Sequence, residues 1–234
     1  MEKHNDDYFE IGYRFDFEGK REDIEFTVRI NRTTLVAYPP EGSMEHEWTL
    51  LDFNKCSICP LSSSEVKHCP IAFNLSGLAE IFSEINSYDE AIITVNAEER
   101  TYVKRAAIQQ GARSIMGIYM ASSGCPHMTI LKPMVRFHLP FASQEESLYR
   151  HVTSYLLSQY FEYLDGKRPD LNLKKLEMEH VNVDLVNRGI FKRFERISKK
   201  DLNRNAIIIL NTLSVMLKLG IKGKLKKLKY LYSP

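Results

Sequence analysis

The chain has 234 residues, of which 44% are hydrophobic and 26% are charged. This composition is that of an ordinary globular protein and excludes a disordered or low-complexity chain. No apolar run reaches the ~20 residues of a membrane-spanning helix. The polar, acidic start lacks the basic segment and apolar run of a signal peptide. We therefore expect a cytoplasmic protein with one α+β domain over residues 1–200, followed by a C-terminal helix and basic tail over residues 201–234.

Hydrophobic alternation predicts half-buried strands near the N-terminus. The alternating residues are Tyr13, Phe15 and Phe17 in one segment and Phe26, Val28 and Ile30 in the next. The turn at 31–32 predicts a hairpin to residues 33–38. A further short strand is expected over residues 48–51. The first part of the chain therefore reads as a small, mostly antiparallel sheet.

Helical periodicity dominates the rest of the chain, apart from a buried strand expected at Ala91–Val95. Ser143 and Glu146 form a capping-box pattern that predicts a helix start. The predicted helices cover residues 75–85, 98–122 with a left-handed stop at Gly124, 143–164, 171–196 and 201–219. The fold class that we predict is α+β, with the sheet first, a cysteine-rich loop next and a helical C-terminal half.

That loop spans residues 53–70, FNKCSICPLSSSEVKHCP, and carries three of the four cysteines of the chain. Cys56 and Cys59 form a C-x2-C pair, Cys69 follows after nine residues, and Cys125 lies much further along. A C-x2-C turn directs two sulfurs at one ion, and four thiolates complete a zinc site or hold an iron–sulfur cluster. In a reducing compartment such cysteines favour metal binding over disulfides.

Proline follows Cys59, Cys69 and Cys125, which stiffens each turn and removes one backbone donor. Pro70 suits the first turn of a helix, so we expect Cys69 at a helix N-terminus, where thiolate is favoured. Four-thiolate zinc is the interpretation that we favour, in a binding or regulatory module. The alternatives are an iron–sulfur redox protein or sensor, a C-x2-C redox pair, and cysteines without a special role.

His68 and His127 stand beside Cys69 and Cys125 in the sequence, and His138 follows at a distance. His68 and His127 are candidates for replacing a cysteine ligand, and all three histidines are candidates for supporting the metal site by a hydrogen bond. The plainer interpretation of His68 and His127 is a polar surface side chain.

A cysteine-dependent enzyme with Cys125 as nucleophile is a further alternative, with His138 or Glu146 as the acid–base group. The simpler explanation is a capping box and a Glu146–Arg150 ion pair on a solvated helix. Phosphate-binding loops, dinucleotide fingerprints and the HExxH pattern are absent from the sequence, so nucleotide-dependent chemistry has no support. Whether the protein is an enzyme stays open.

The charges are unevenly distributed. Residues 1–60 hold thirteen acidic and seven basic side chains, whereas residues 187–234 hold thirteen basic and two acidic ones. The tail Lys218–Lys229 interleaves six lysines with Leu219, Ile221, Leu225 and Leu228. Such a pattern suits a polyanion or an acidic membrane surface. We favour packing of its leucine face on the core.

The segments CSICPL, HCPIAFNL, SSGCPHM and KPMVRFHLPFASQEESLYR resemble an uncharacterised bacterial family of unknown function. The resemblance covers most of residues 8–200. It implies that the cysteine-proline segments and the helix after Pro140 belong to one structural unit. It implies no activity, substrate or cofactor.

Overall fold

The computed structural model describes residues 7–40, 42–218 and 221–232, apart from the side chains of Leu213, Lys218 and Lys222. Within these residues, four strands form one antiparallel sheet in the order β2-β1-β3-β4. The strands are β1 (Tyr8–Asp16), β2 (Ile24–Asn31), β3 (Glu90–Asn96) and β4 (Thr101–Ala107). The predicted α+β class with an antiparallel N-terminal sheet is confirmed.

Helices form most of the chain after the sheet. They are α1 (Pro70–Asn74), α2 (Ser76–Ile81), α3 (Gln109–Ala121), α4 (Pro133–Arg136), α5 (Gln144–Leu164), α6 (Lys174–Ile197), α7 (Leu202–Lys218) and α8 (Ile221–Leu225). Short 3-10 segments lie at Glu47–Thr49, Pro126–Leu131 and Lys226–Tyr232. The predicted positions of α5, α6 and α7 are therefore confirmed to within a few residues.

The strand alternation places one face of the sheet in the core. Phe9, Ile11, Tyr13 and Phe15 of β1 are all buried, while the residues between them are at least partly exposed. Helix α3 covers this face. Gly111 permits the close approach, because a Cβ at that position would collide with the ring of Phe15.

The predicted helix over residues 98–122 is wrong in its first half, where β4 forms instead. The turn before β4 is closed by a hydrogen bond from Ala97 N to Arg100 O at 3.0 Å. Thr101, Tyr102 and Val103 favour extended backbone, and pairing with β3 satisfies the backbone hydrogen bonds of this strand. Since β4 is an exposed edge strand with little buried side chain, its sequence lacks the period-two signal of the inner strands.

Two other strand predictions are wrong. Residues 47–49 form a 3-10 turn, and Leu50 makes only an isolated bridge to His68. The expected hairpin partner of β2 is reduced to one bridge between Ile30 and Ala37. In both places the backbone bonds that a strand would need are used by turns and loops.

Two hydrophobic clusters hold the helices. The larger one joins the sheet to α3, α6 and α7. The smaller one joins α5, α6 and the end of α7 to the C-terminal tail, where Ile221 and Leu228 are buried and Leu225 packs against them. The predicted packing of the tail is thus confirmed for these residues, while Leu219 lies outside the described ones. No helix in the described ranges has both the length and the apolar character needed to cross a membrane.

Candidate metal centre

Cys56 and Cys59 stand at the two ends of a tight turn. The amide of Cys59 donates to the carbonyl oxygen of Cys56 at 3.0 Å, and Lys55 Nζ donates to the carbonyl oxygen of Leu61 at 2.6 Å. Both cysteines are partly buried, and Cys59 packs against the larger core cluster. The turn therefore holds both thiols at the edge of the core.

Cys69 and Cys125 have nearly the same backbone conformation. Each caps a short helical segment whose first residue is proline, with φ/ψ of −62°/119° at Cys69 and −63°/125° at Cys125. The predicted position of Cys69 at a helix N-terminus is confirmed. Gly124 has a positive φ of 86°, as expected, although α3 ends earlier, at Ala121.

The fold brings all four thiols into one neighbourhood. Burial raises the pKa of Cys56 to about 12, and the charges of Cys69, Cys125 and Cys59 act in the same direction. Burial likewise raises the pKa of Cys125 to about 11, with further contributions from Cys69 and Cys59. Charges influence one another in this way only over short distances. Cys125 therefore lies near the other three cysteines despite its separation from them in the sequence.

Two backbone amides already favour a thiolate at Cys125. The backbone amides of His127 and Met128 lower the pKa of Cys125, against the larger effect of burial. Donors directed at a sulfur stabilise its charged form. The raised pKa values of Cys56 and Cys125 keep these two thiols protonated at neutral pH without a cation, whereas a bound metal ion would deprotonate its cysteine ligands.

The thiols are neighbours rather than a finished coordination sphere. Among the residues that the structure describes, no three His, Cys, Asp or Glu side chains stand in the arrangement that a bound ion requires. Side-chain rotation would have to bring the sulfurs closer together, as is usual where metal binding and local ordering are coupled.

A buried arginine faces the same thiols. Arg193 of α6 is 1% exposed, and it donates to the carbonyl oxygens of Trp48, Leu50 (2.8 Å) and Leu51 (3.0 Å). Burial lowers its pKa, and the charges of Cys69, Cys56 and Cys59 oppose that shift. Its Nε has no hydrogen-bond partner. This guanidinium therefore fixes the backbone just before the cysteine loop.

The environment of Arg193 tests whether a metal fits. No carboxylate of the described residues pairs with this buried cation. Protonated thiols leave its charge uncompensated, which is costly in a protein interior. Four thiolates around one Zn²⁺ carry two net negative charges. The donor set and the unpaired guanidinium therefore suit a thiolate–metal centre.

The three histidines predicted to support the site differ in what they contact. His127 Nε2 donates to the carbonyl oxygen of Ile58 at 2.8 Å, which ties the Cys125 segment to the C-x2-C turn. His68 Nδ1 is hydrogen-bonded to Thr49 Oγ1 at 2.8 Å. His138 Nε2 instead meets Tyr13 Oη at 2.6 Å and Ser114 Oγ at 3.0 Å.

The ionisable groups after His138 have structural partners. The capping box is present, with Ser143 Oγ accepting from the amide of Glu146 at 3.1 Å and Glu146 Oε2 accepting from the amide of Ser143 at 2.8 Å. The expected Glu146–Arg150 ion pair does not form, because Arg150 donates to the carbonyl oxygens of Met134 and Phe137. The raised pKa of Cys125 also disfavours a nucleophilic thiolate.

Sequence reasoning missed two residues that lie near the thiols. Arg193 is one of many basic residues near the C-terminus, and Gly189 lies inside an otherwise regular helix. Only the isolated glycine in a helical pattern suggests a close contact, since glycine weakens a helix interior. In the structure the sulfur of Cys56 lies against it.

The chain belongs to a family of proteins defined by a shared domain of unknown function. That family is described as Domain of unknown function (DUF6901), and its profile matches residues 11–233. The match includes all four cysteines and the helices that position them. Comparisons with curated proteins and with solved structures find no match.

Proposed function

We propose that the protein is a metal-binding module in which Cys56, Cys59, Cys69 and Cys125 bind one zinc ion as thiolates. The observation that carries this proposal is the proximity of the four thiols to one another, with the unpaired guanidinium of Arg193 beside Cys56, Cys59 and Cys69. A tetrahedral set of four sulfurs is closed, as in structural zinc sites, and leaves no position for a substrate. The expected role is therefore binding or regulation.

The zinc would act by ordering the loop over residues 53–70. Before α1 this loop contains turns and one isolated bridge, and most of its side chains are at least partly exposed. A structural zinc ion contributes on the order of 10 kcal/mol to folding. That amount suffices to hold the loop against α6 and the Pro126–Leu131 segment.

An iron–sulfur cluster is a second candidate, because no three thiols are gathered as closely as a single ion demands. A cluster places its own iron and sulfide between the cysteine sulfurs, so it tolerates a wider arrangement. Proline after Cys59, Cys69 and Cys125 also matches the end of the bacterial ferredoxin cysteine run.

The deciding experiment is purification without oxygen, followed by metal analysis and visible spectroscopy. Zinc predicts a colourless protein with about one ion per chain. An iron–sulfur cluster predicts a brown protein with broad visible absorption. Metal-free protein that is fully folded and resists loading with zinc or iron would contradict both the zinc proposal and the iron–sulfur alternative.

Single and double substitutions test whether the four thiols act as a unit. Cys56→Ser and Cys125→Ser should each remove most of the metal and lower stability, and the double variant should be little worse than either one. Ser57→Ala, at an exposed position between two of the cysteines, is the matched control. Additive losses from the two cysteines would show that they do not share one centre.

A further inference from the structure

A cavity lies away from the cysteines, between α3, α5 and α7. Its volume is about 260 Å³, and no cysteine is among its lining residues. The segment over residues 134–142 forms another wall. The apolar part of the lining includes Ile118, Met128, Leu131, Val135, Leu139 and Leu210. These walls favour an apolar ligand body.

Arg113 brings a positive charge to this apolar cavity. Its guanidinium makes one long hydrogen bond, from Nη2 to the carbonyl oxygen of Ala142 at 3.4 Å. Burial lowers its pKa, and no carboxylate among the described residues pairs with it. A partly buried arginine without a counter-ion is poorly compensated.

Arg150 brings a second positive charge to the same cavity from α5. Both of its hydrogen bonds, to Phe137 O at 2.7 Å and Met134 O at 3.2 Å, come from Nη2. Nη1 and Nε make no bond to the described residues. Glu146 influences its charge without forming an ion pair, since that carboxylate completes the cap of α5. Two arginines therefore share one cavity without an anion.

The other titratable groups of the cavity are neutral near pH 7. Burial lowers the pKa of His138 to about 3 and that of His151 to about 4, and the charge of Arg150 adds to both shifts. The ring of His138 is held by Tyr13 and Ser114. His151 Nδ1 donates to the carbonyl oxygen of Ser147 at 2.7 Å. The charge that the cavity offers a ligand is thus positive.

We propose that this cavity binds a small amphipathic carboxylate, with its anionic group on Arg113 and Arg150 and its apolar body along the hydrophobic walls. Guanidinium groups match the planar geometry of a carboxylate and bind it through paired hydrogen bonds. The volume lies just below the range of roughly 300–1,000 Å³ that drug-sized ligands occupy. A medium-chain fatty acid fits such a site better than a long-chain one.

Calorimetric titration of the full chain with octanoate tests the proposal, with 1-octanol and acetate as matched probes. Octanoate should bind at one molecule per chain, at least about tenfold more tightly than octanol, because octanol lacks the anionic group. Acetate should show no binding, because it lacks the apolar body. The proposal is overturned if octanoate does not bind, if octanol binds equally well, or if acetate binds as tightly.

Two variants localise the binding. Arg113→Gln should weaken octanoate about tenfold or more and leave octanol unchanged, whereas the exposed Arg168→Gln should have no effect. Ala142→Phe adds a ring to the lining and should block octanoate and octanol alike. Wild-type affinity in both cavity variants would place the ligand elsewhere and refute the site. If Arg113→Gln fails to fold, Ala142→Phe and the comparison of probes on the wild-type chain decide the question.

Discussion

The sulfur of Cys56 lies directly against the backbone of Gly189 in α6, in the space that any larger side chain would need. A Cβ at residue 189 would collide with that sulfur and also approach the Cβ and Cα of Cys56. The cysteine loop therefore packs closely on α6 at this point. Since Gly189 and Arg193 are four residues apart, the thiol lies about one helical turn from the buried Arg193.

Gly189→Ala should displace the Cys56 sulfur and reduce metal content, even though alanine favours the helix. We expect the variant to retain much less than one zinc per chain and to unfold at a lower temperature than the wild type. Metal analysis and thermal unfolding measure the two effects. Gly223→Ala in α8 is the control, since nothing lies within 4 Å of its added Cβ. Full metal content in Gly189→Ala would separate Cys56 from the metal centre.

Arg193→Met should destabilise the protein by about 3–5 kcal/mol, because three carbonyl oxygens, two of them in buried hydrogen bonds, lose their charged donor. Zinc affinity should fall as well, since the thiolates lose their neighbouring cation. Arg193→Lys keeps the charge without the forked geometry, so it should retain more zinc affinity than Arg193→Met. Urea unfolding and competition with a zinc chelator measure the two quantities.

The control for that series is Arg196→Met, an exposed position on the same helix. It should leave both stability and zinc affinity near the wild-type values. Equal zinc affinity in Arg193→Met and the wild type would show that the guanidinium only holds the backbone before the loop and has no effect on the metal centre.

His180→Phe should stabilise the protein, most strongly in acid. His180 is 1% exposed, and neither ring nitrogen has a hydrogen-bond partner. Burial lowers its pKa to about 3, with a further effect from His151, whereas an unfolded histidine has a pKa of about 6.5. Between these values the unfolded chain binds a proton that the folded chain does not. Stability therefore falls as the pH is lowered through this window.

Urea unfolding of the wild type and His180→Phe from pH 8 down to pH 4 measures this difference. The advantage of the variant should grow below pH 6.5 by up to about 1.4 kcal/mol per pH unit. Acid release of metal affects both proteins alike and cancels in the comparison. A difference that is constant across the pH range would mean that His180 titrates normally in the folded state.

Leu228→Ala should destabilise the protein by about 2–5 kcal/mol, because this side chain is buried in the smaller hydrophobic cluster. Lys226→Ala with Lys227→Ala, at exposed positions of the same tail, should change stability little. Urea unfolding tests both variants. If the tail instead serves a polyanion or an acidic membrane, the lysine variant should lose salt-sensitive binding to acidic vesicles or nucleic acid.

Local patterns predicted the elements whose signals lie within a few residues. The start of α5 can be predicted from the sequence because Ser143 and Glu146 bond to each other's backbone. The strand β1 can be predicted because buried and exposed residues alternate along the segment itself. The strand β4 cannot, because its extended form depends on pairing with β3 and its own side chains are mostly exposed.

The amino-acid sequence by itself shows the C-x2-C pair, the proline after three of the four cysteines, and the alternation that builds the sheet, since each is expressed over a short stretch of chain. Packing between distant segments alone brings Cys125 to the C-x2-C turn, places Arg193 beside Cys56, Cys59 and Cys69, and joins Arg113 and Arg150 in one apolar cavity. These contacts depend on how the helices pack on the sheet, and no periodicity within a single segment encodes them.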